Sequence, residues 1–348
     1  MTKARKRRKA MPRDVTMGDV ARLIRQNRRF VLTTHSKPDA DGLGSELALH
    51  RFLRRIGKIS HIVNVSDTPV NLRFLCSNQD VKRYRPHVHK KILQQADVIA
   101  AIDIGSVEKI DKMGEAILTS PAKKLLIDHH VRRDRTFDWR WVRENASSSG
   151  EMVYDLITTL DPRAVTPSIA QPLYAAIVHD TGDFNYDRTN ARTFRVAADL
   201  VERGVQPYQV FKATRCWRSV EQLRLIAETL AGVRTTPSGR VAWCTAPQTL
   251  LRKHRVKPLN LPRIIDHVLT LQSIEVAVLF VELARREIKV SLRSKNFVDV
   301  SALACEFGGG GHRKSSGFNI AASLPGAVRK VVAAAEKAAS RKRRGTRR

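Results

Sequence analysis

Cysteine is scarce in this chain: Cys76, Cys216, Cys244 and Cys305 are the only four among 348 residues, and none stands in a CxxC pair. Their dispersion excludes a zinc ribbon and a disulfide framework, and they read as reduced core or surface thiols. Long apolar runs are absent as well, since nothing approaches the ~20 residues of a membrane span. Residues 11–27 lack the apolar core of a secretory signal. No membrane association is therefore expected, and the cytoplasm is the expected compartment. No internal repeat is apparent. Trp139, Trp141, Trp217 and Trp243 read as core packing rather than as base-stacking groups.

Acidic residues are in the minority, 33 against 63 Lys and Arg, which leaves a formal charge of +30. Residues 1–13 hold seven basic residues and no acid, and residues 337–348 hold seven more. Both ends lack apolar periodicity and are expected to be disordered. They either solubilise the chain or attract polyanions such as RNA without sequence preference. Without those fourteen charges the body still carries +16, which points to an anionic substrate.

The length suffices for two domains with proper cores. Residues 17–27 read as a helix and 29–34 as a strand; 42–56 carry apolar residues at helical spacing, and 59–65 form a strand. Strands over 98–102 and 125–127 follow, then a helix over 149–160, and 172–178 read as a short helix. That alternation implies βαβ units and a mostly parallel sheet. Residues 191–233 are helical and charged. A second unit starts near 235, with strands over 240–245, 274–283 and 287–293, a glycine run and a last helix over 327–339.

Acids and histidines gather in four clusters, His35 with Asp39 and Asp41, then Asp103, then Asp128-His129-His130, then His179-Asp180 with Asp183. Three of them end β-like apolar runs, and the carboxyl ends of strands in an open α/β sheet face one crevice. Taken singly, each has a structural explanation. Asp39 and Asp41 suit a turn beside Pro38, and Asp103 suits a helix N-cap. Together they read as a site for hard divalent cations, which take carboxylate oxygen and neutral imidazole. Asp183 and Asp187 are expected outside the ligand shell, and His50, His61, His87, His89, His254 and His267 fit no motif. The glycine run Gly308–Gly311 before His312 suits either a flexible turn or a backbone cradle for an anion.

The ordered series resembles the DHH phosphoesterase family, named for the tripeptide standing here as Asp128-His129-His130. Residues 290–294, 298–300, 307–312 and 316–318 resemble that family's DHH-associated C-terminal domain. The likeness covers roughly residues 15–335. It is nearest to the NrnA type, bifunctional oligoribonuclease and 3'-phosphoadenosine-5'-phosphate (pAp) phosphatase. That type commonly has Arg-Pro-Asp-Gly-Asp-Ala where residues 37–42 stand, and Ala-Ala where Ser315-Ser316 stands.

The resemblance implies an α/β, two-domain chain. A mostly parallel sheet forms the DHH catalytic domain over 15–190. A helical connector over 191–234 leads to a smaller α/β substrate-binding domain over 235–336, with the active site in the cleft. A basic arm over 1–14 and a basic tail over 337–348 complete it. It implies two metals, usually Mn²⁺ with Mg²⁺ or Co²⁺ as substitutes. His35, Asp39 and Asp103 would hold one, and Asp41, Asp103, His129 and Asp180 the other, with Asp103 bridging. His130 would serve catalysis by donating to a phosphate oxygen or protonating the leaving group. Arg293, Gly309, Gly310, Gly311 and His312 would grip the terminal nucleotide; an arginine forks two donors onto a phosphate. The implied substrates are short single-stranded RNA and pAp. Linear or cyclic dinucleotides, or longer single strands as in RecJ-like exonucleases, are the enzyme alternatives, and a non-catalytic RNA-binding protein is the alternative from another class. A homodimer is compatible with all of these.

Overall fold

The strands expected from their apolar runs all form, and the first set lies in one parallel sheet. In the computed structural model, which describes residues 12–77, 79–130, 135–258 and 264–340, the chain divides between Trp217 and Arg218 into two units. The first contains β1 (Arg13–Asp14), α1 (Met17–Gln26), β2 (Arg29–Thr33), α2 (Ala40–Arg55), β3 (Ile59–Asn64), β4 (Val81–Arg83), α3 (Pro86–Gln95) and β5 (Val98–Ile102). It continues with α4 (Lys112–Thr119), β6 (Lys123–Asp128), β7 (Trp139–Val142), α5 (Ser149–Leu160), α6 (Pro167–Asp180), α7 (Ala191–Glu202) and α8 (Pro207–Arg215).

Local chemistry sets the helix boundaries. Thr16 and Asp19 form a reciprocal capping box before α1, Asp39 caps α2, Ser148 caps α5, and Asn190 caps α7. The short helix expected over 172–178 is the centre of the longer α6. Pro172 sits inside it and cannot donate to the carbonyl of Ser168. Arg51 Nη1 takes that carbonyl at 2.5 Å, so the orphaned acceptor is satisfied and the helix persists.

The sheet order is β1-β7-β6-β5-β2-β3-β4, all parallel. Its central strands bury both faces. Phe30, Leu32, Val98, Ala100, Ile102, Leu125 and Ile127 point into one core, while Val31, Ile99, Ala101 and Leu126 point into the other. That period of two, apolar on both sides, is the pattern of a sheet covered by helices. The chain runs outward from β2 through β3 to β4, then returns to β5 on the opposite side. The order therefore reverses between β2 and β5, where ligands bind in open α/β sheets.

The second unit contains α9 (Val220–Ala231), β8 (Arg234–Thr235), β9 (Val241–Ala246), α10 (Gln248–Lys253), α11 (Ile264–Leu269), β10 (Val276–Ala284), β11 (Glu287–Ser294), α12 (Val300–Cys305), β12 (Gly310–His312), β13 (Ser315–Ala321) and α13 (Leu324–Ser340). Its mixed sheet runs β12-β13-β11-β10-β9-β8. α13 buries Ala327, Val331, Ala335 and Ala339, spaced by four, so one narrow stripe packs on that sheet's core.

Three expectations change. The arm expected to be disordered over 1–14 ends in β1, where Arg13 and Asp14 pair with β7 and the Arg13 guanidinium stacks 3.6 Å from the Trp139 ring centroid. The tail expected from 337 begins later, because 337–340 complete α13; residues 1–11 and 341–348 lie outside the described residues. The connector expected over 191–234 is not a separate body. α7 and α8 belong to the first unit, and α9 and β8 to the second.

Candidate active site

Three neighbouring strands deliver their clusters to one place. His35 lies just beyond β2, Asp103 just beyond β5, and Asp128 closes β6 with His129 and His130 following. Asp180 ends α6. Asp103 is not a helix cap but a strand-end residue in the left-handed region, with φ 60°. A non-glycine residue there is uncommon and costs energy, and such residues cluster at functional sites. Its peptide N–H still extends the ladder to the Ile127 carbonyl at 3.0 Å.

The two oxygens of Asp103 face different partners. Oδ2 lies 3.8 Å from His35 Nε2, and Oδ1 lies 3.4 Å from His129 Nε2. On the first side, Asp39 Oδ2 is 3.6 Å from His35 Nε2. On the second, His129 Nε2 is 3.1 Å from Asp180 Oδ2 and 3.5 Å from Asp41 Oδ2. His35, Asp39 and Asp103 thus form one group of potential metal ligands, and Asp41, His129 and Asp180 another, each with its ligand atoms within 4.8 Å of one another. The structure brings together all six residues expected to hold metal.

Asp39 divides its oxygens between scaffold and site, whereas both oxygens of Asp41 accept scaffold donors and Oδ2 also faces His129. Asp39 Oδ1 accepts the Asp41 and Gly42 N–H groups as the cap of α2, leaving Oδ2 for the site. Asp41 is fully buried and accepts from Ser149 N at 2.8 Å and Gly150 N at 2.9 Å. These are first-turn N–H groups of α5, which have no partner within their own helix. Glycine is required at 150: a Cβ there would meet the Ala176 Cβ at 2.6 Å, so only Gly lets α5 approach α6 closely enough to reach Asp41.

Burial and crowding perturb the acids. Burial, then repulsion from Asp103 and Asp180, pushes Asp41 well above the usual carboxylate range. Burial alone would raise Asp39, but the imidazoles of His179 and His35 outweigh it and hold it well below. Burial opposes the charged form of His35, yet Asp39 and Asp103 raise it to about 9. His129 rises likewise against its burial, chiefly because of Asp180. Four carboxylates and their imidazoles share a space that favours added positive charge.

His130 has its Nδ1 3.6 Å from Asp103 Oδ1 but leans chiefly on a different acid. Its Nδ1 is 2.7 Å from Asp128 Oδ1, which also accepts the His129 and His130 N–H groups at 2.7 and 3.0 Å. Asp128 Oδ2 accepts Gly105 N–H at 2.6 Å. Burial would raise Asp128, but His130 above all holds it far below the ordinary range. An ionised Asp128 makes Nδ1 the donor, which fixes the tautomer of His130.

Sequence reasoning missed several participants. His179, counted in the fourth cluster but given no ligand role, has its Nε2 3.5 Å from Asp39 Oδ2. Ser149 and Gly150 act through backbone N–H groups, which leave no side-chain signature, and Ser149 Oγ also donates to Asp103 Oδ1 at 3.3 Å. Arg188 Nη1 lies 2.8 Å from His129 Nδ1, which also faces the Ala146 carbonyl at 3.3 Å; nothing in the sequence marked it. Asp183 pairs with Arg215 at 2.9 Å.

In the second unit, strand register aligns the expected substrate residues. Arg293 on β11 lies opposite Ser315 on β13, which lies opposite His312 on β12. Residues directly opposite share a face, so Arg293 and His312 stand in one row, about two strand spacings or ~9.5 Å apart. Arg293 Nη1 donates to the Leu292 carbonyl, and Nε lies 3.6 Å from Asp266. The glycine run is not a simple loop, because Gly310 and Gly311 belong to edge strand β12. Gly311 has φ 141°, and a Cβ there would meet the Ser315 carbonyl at 2.6 Å. Close approach to β13 requires that glycine, whereas Gly310 has open space around it.

Comparison with known proteins follows this division. The model of the DHH family, N-terminal domain, matches residues 29–177, and that of the DHHA1 domain matches residues 241–341. A Thermus thermophilus protein named bifunctional oligoribonuclease and PAP phosphatase NrnA is 30% identical, over 83% of this chain and 83% of its own. A Bacillus subtilis protein of the same name is 27% identical, over 84% of this chain and 89% of its own. The crystal structure of an exopolyphosphatase-related protein from Bacteroides fragilis shares the fold with TM-score 0.86 at 24% identity, covering 93% of this chain and 96% of that one.

Proposed function

Because the chain belongs to the DHH family, we propose that it is a two-metal phosphoesterase that degrades short RNA to mononucleotides and removes the 3'-phosphate of pAp. The observation that carries this reading is the division of Asp103, one oxygen toward His35 and Asp39, the other toward His129, Asp41 and Asp180. The donor set fits hard divalent cations, since every ligand atom is a carboxylate oxygen or an imidazole nitrogen. Manganese is the metal the family's likeness implies. His35, Asp39 and Asp103 would hold one ion; Asp41, Asp103, His129 and Asp180 would hold the other. When bound, such a pair neutralises phosphoryl oxygens and acidifies the attacking water.

The protein's own groups orient this machinery. His35 Nδ1 faces the Ser36 carbonyl at 3.0 Å, which leaves Nε2 for the site. His129 Nδ1 is likewise turned away from the site, toward the Arg188 guanidinium at 2.8 Å and the Ala146 carbonyl at 3.3 Å, so that Nε2 faces the acids. His130, with its Nδ1 proton held by Asp128, exchanges a proton with the leaving oxygen through Nε2. Arg293 and His312 grip a phosphate of the terminal nucleotide. The named relatives support RNA oligonucleotides and pAp as the substrates.

The test is hydrolysis by purified protein with Mn²⁺ of pAp, a dinucleotide, a five-mer and a 24-mer. Release of AMP from pAp and of mononucleotides from the shorter RNAs is expected. A folded protein that leaves all four intact overturns the reading, and preference for the 24-mer favours a RecJ-like exonuclease instead.

A further inference from the structure

The segment linking α6 to α7 carries an unusual conformation beside the site. Gly182, Asp183 and Phe184 are consecutive left-handed residues, with φ of 58°, 59° and 65°. L-residues enter that region singly and at a cost of ~1–2 kcal/mol each, and a bulky residue such as Phe is an outlier there. The surroundings hold the turn in place. Thr181 Oγ1 accepts from Phe184 N at 3.1 Å, Arg215 forks onto Asp183, and the Tyr186 ring covers Gly182 so closely that a Cβ would meet it at 2.5 Å. The far end reaches His129 through Arg188.

This conformation seats the Phe184 ring. It stacks on Phe194 of α7 with centroids 5.3 Å apart and planes 23° apart, and Tyr174 meets its edge at 6.4 Å. Phe184 packs against the core, but Phe194 remains 55% exposed. Exposed Arg195 follows it, while Arg192 on its other side pairs with Asp155 at 2.5 Å and lies over the Tyr154 ring. The start of α7 lies at the active-site end of the unit, because Thr193 Oγ1 donates to Glu151 in the first turn of α5, whose preceding N–H groups bind Asp41. Phe184 follows Asp180 by four residues, at most ~14 Å of extended chain.

We propose that Phe194, backed by Phe184, is a stacking platform for a nucleobase of the substrate close to the scissile phosphate. A rigid aromatic face beside Arg195 suits a stacked base on an anionic strand; the net positive charge of this chain opposes a second copy there. The proposal rests on the phosphoesterase reading and names what that site adds for nucleotides.

The test uses full-length protein with Mn²⁺ and RNA five-mers that are intact or abasic at one position in turn. In the wild type, one abasic position near the cleaved end should raise KM roughly tenfold. Phe194→Ala should raise KM for intact RNA by a similar factor, leave kcat within about twofold, and respond no further to that abasic position; Phe194→Trp should restore KM. If the wild type cleaves RNA but Phe194→Ala keeps its KM, or remains sensitive to the abasic position, the platform is refuted while the activity stands. A change in oligomeric state with KM unchanged assigns the face to self-association and also refutes it. If the wild type cleaves no RNA, the phosphoesterase reading fails first.

Discussion

Replacing Asp128 with Asn removes one charge while keeping the side chain's shape, and its consequences can be worked from four hydrogen bonds. Oδ1 accepts three N–H groups and Oδ2 accepts the Gly105 N–H at 2.6 Å. An asparagine oriented to keep Oδ1 in place turns its own NH₂ against Gly105 N–H. One buried donor is then unsatisfied, at ~1–3 kcal/mol, and the other three bonds lose their ionic assistance at roughly 1 kcal/mol each. A loss of about 4–6 kcal/mol follows, a large share of a typical domain's 5–15. Asn also accepts equally well without fixing His130 as a Nδ1–H donor to a charge, so kcat should fall by ~10² or more, while metal content stays near wild type. The pH dependence has a definite sign. Asp128 is depressed in the folded state, so its contribution is present above its unfolded value near ~3.9 and is lost as pH falls toward its folded value. The stability gap between wild type and mutant should therefore be constant near neutrality and narrow in strong acid. Chemical denaturation across pH, metal analysis and steady-state kinetics measure all three. A folded mutant with wild-type kcat would refute the role assigned to Asp128.

Asp103→Ala should abolish hydrolysis, by at least ~10³-fold, and lower bound Mn²⁺ at both positions, because its two oxygens serve both groups; elemental analysis showing one site intact argues against bridging. Arg293→Ala and His312→Ala should raise KM by ~10–100-fold, the worth of a charge-assisted hydrogen bond, with metal content unchanged. Stoichiometric metal loss in either would move that residue among the ligands. Deleting residues 1–11 and 341–348 removes six Lys or Arg from each end. Turnover of pAp should stay within about twofold, while binding of a 24-mer weakens and its salt dependence becomes shallower; an unchanged salt slope makes the ends merely solubilising.

The parallel sheet was legible because β2, β5 and β6 are continuous apolar runs bounded by polar residues, and three of the acid–histidine clusters were legible because they follow such runs. Other parts were not. β7 is only four residues long and carries two tryptophans and an arginine, so it shows no apolar run. β1 is two polar residues inside a basic arm, and only its partner makes it a strand. The glycine run looked like a ligand cradle, whereas Gly311 answers first to the Ser315 carbonyl. The N–H groups of Ser149 and Gly150 that anchor Asp41 belong to a helix start more than a hundred positions away, a relation that no local pattern encodes.

The reversal of strand order between β2 and β5 also bears on how the site comes into being. Phe30 pairs with Val98 across that junction, so closing it requires a loop of nearly seventy residues, and such non-local pairings form late and slowly. α2, with Asp39 and Asp41, can take shape early from neighbouring residues. Yet the Asp103 carboxylate reaches His35 only after β5 has docked beside β2. Chemical competence is thereby tied to long-range steps of chain assembly, and a nascent or partly folded chain with most of its helices in place would still lack a functioning centre.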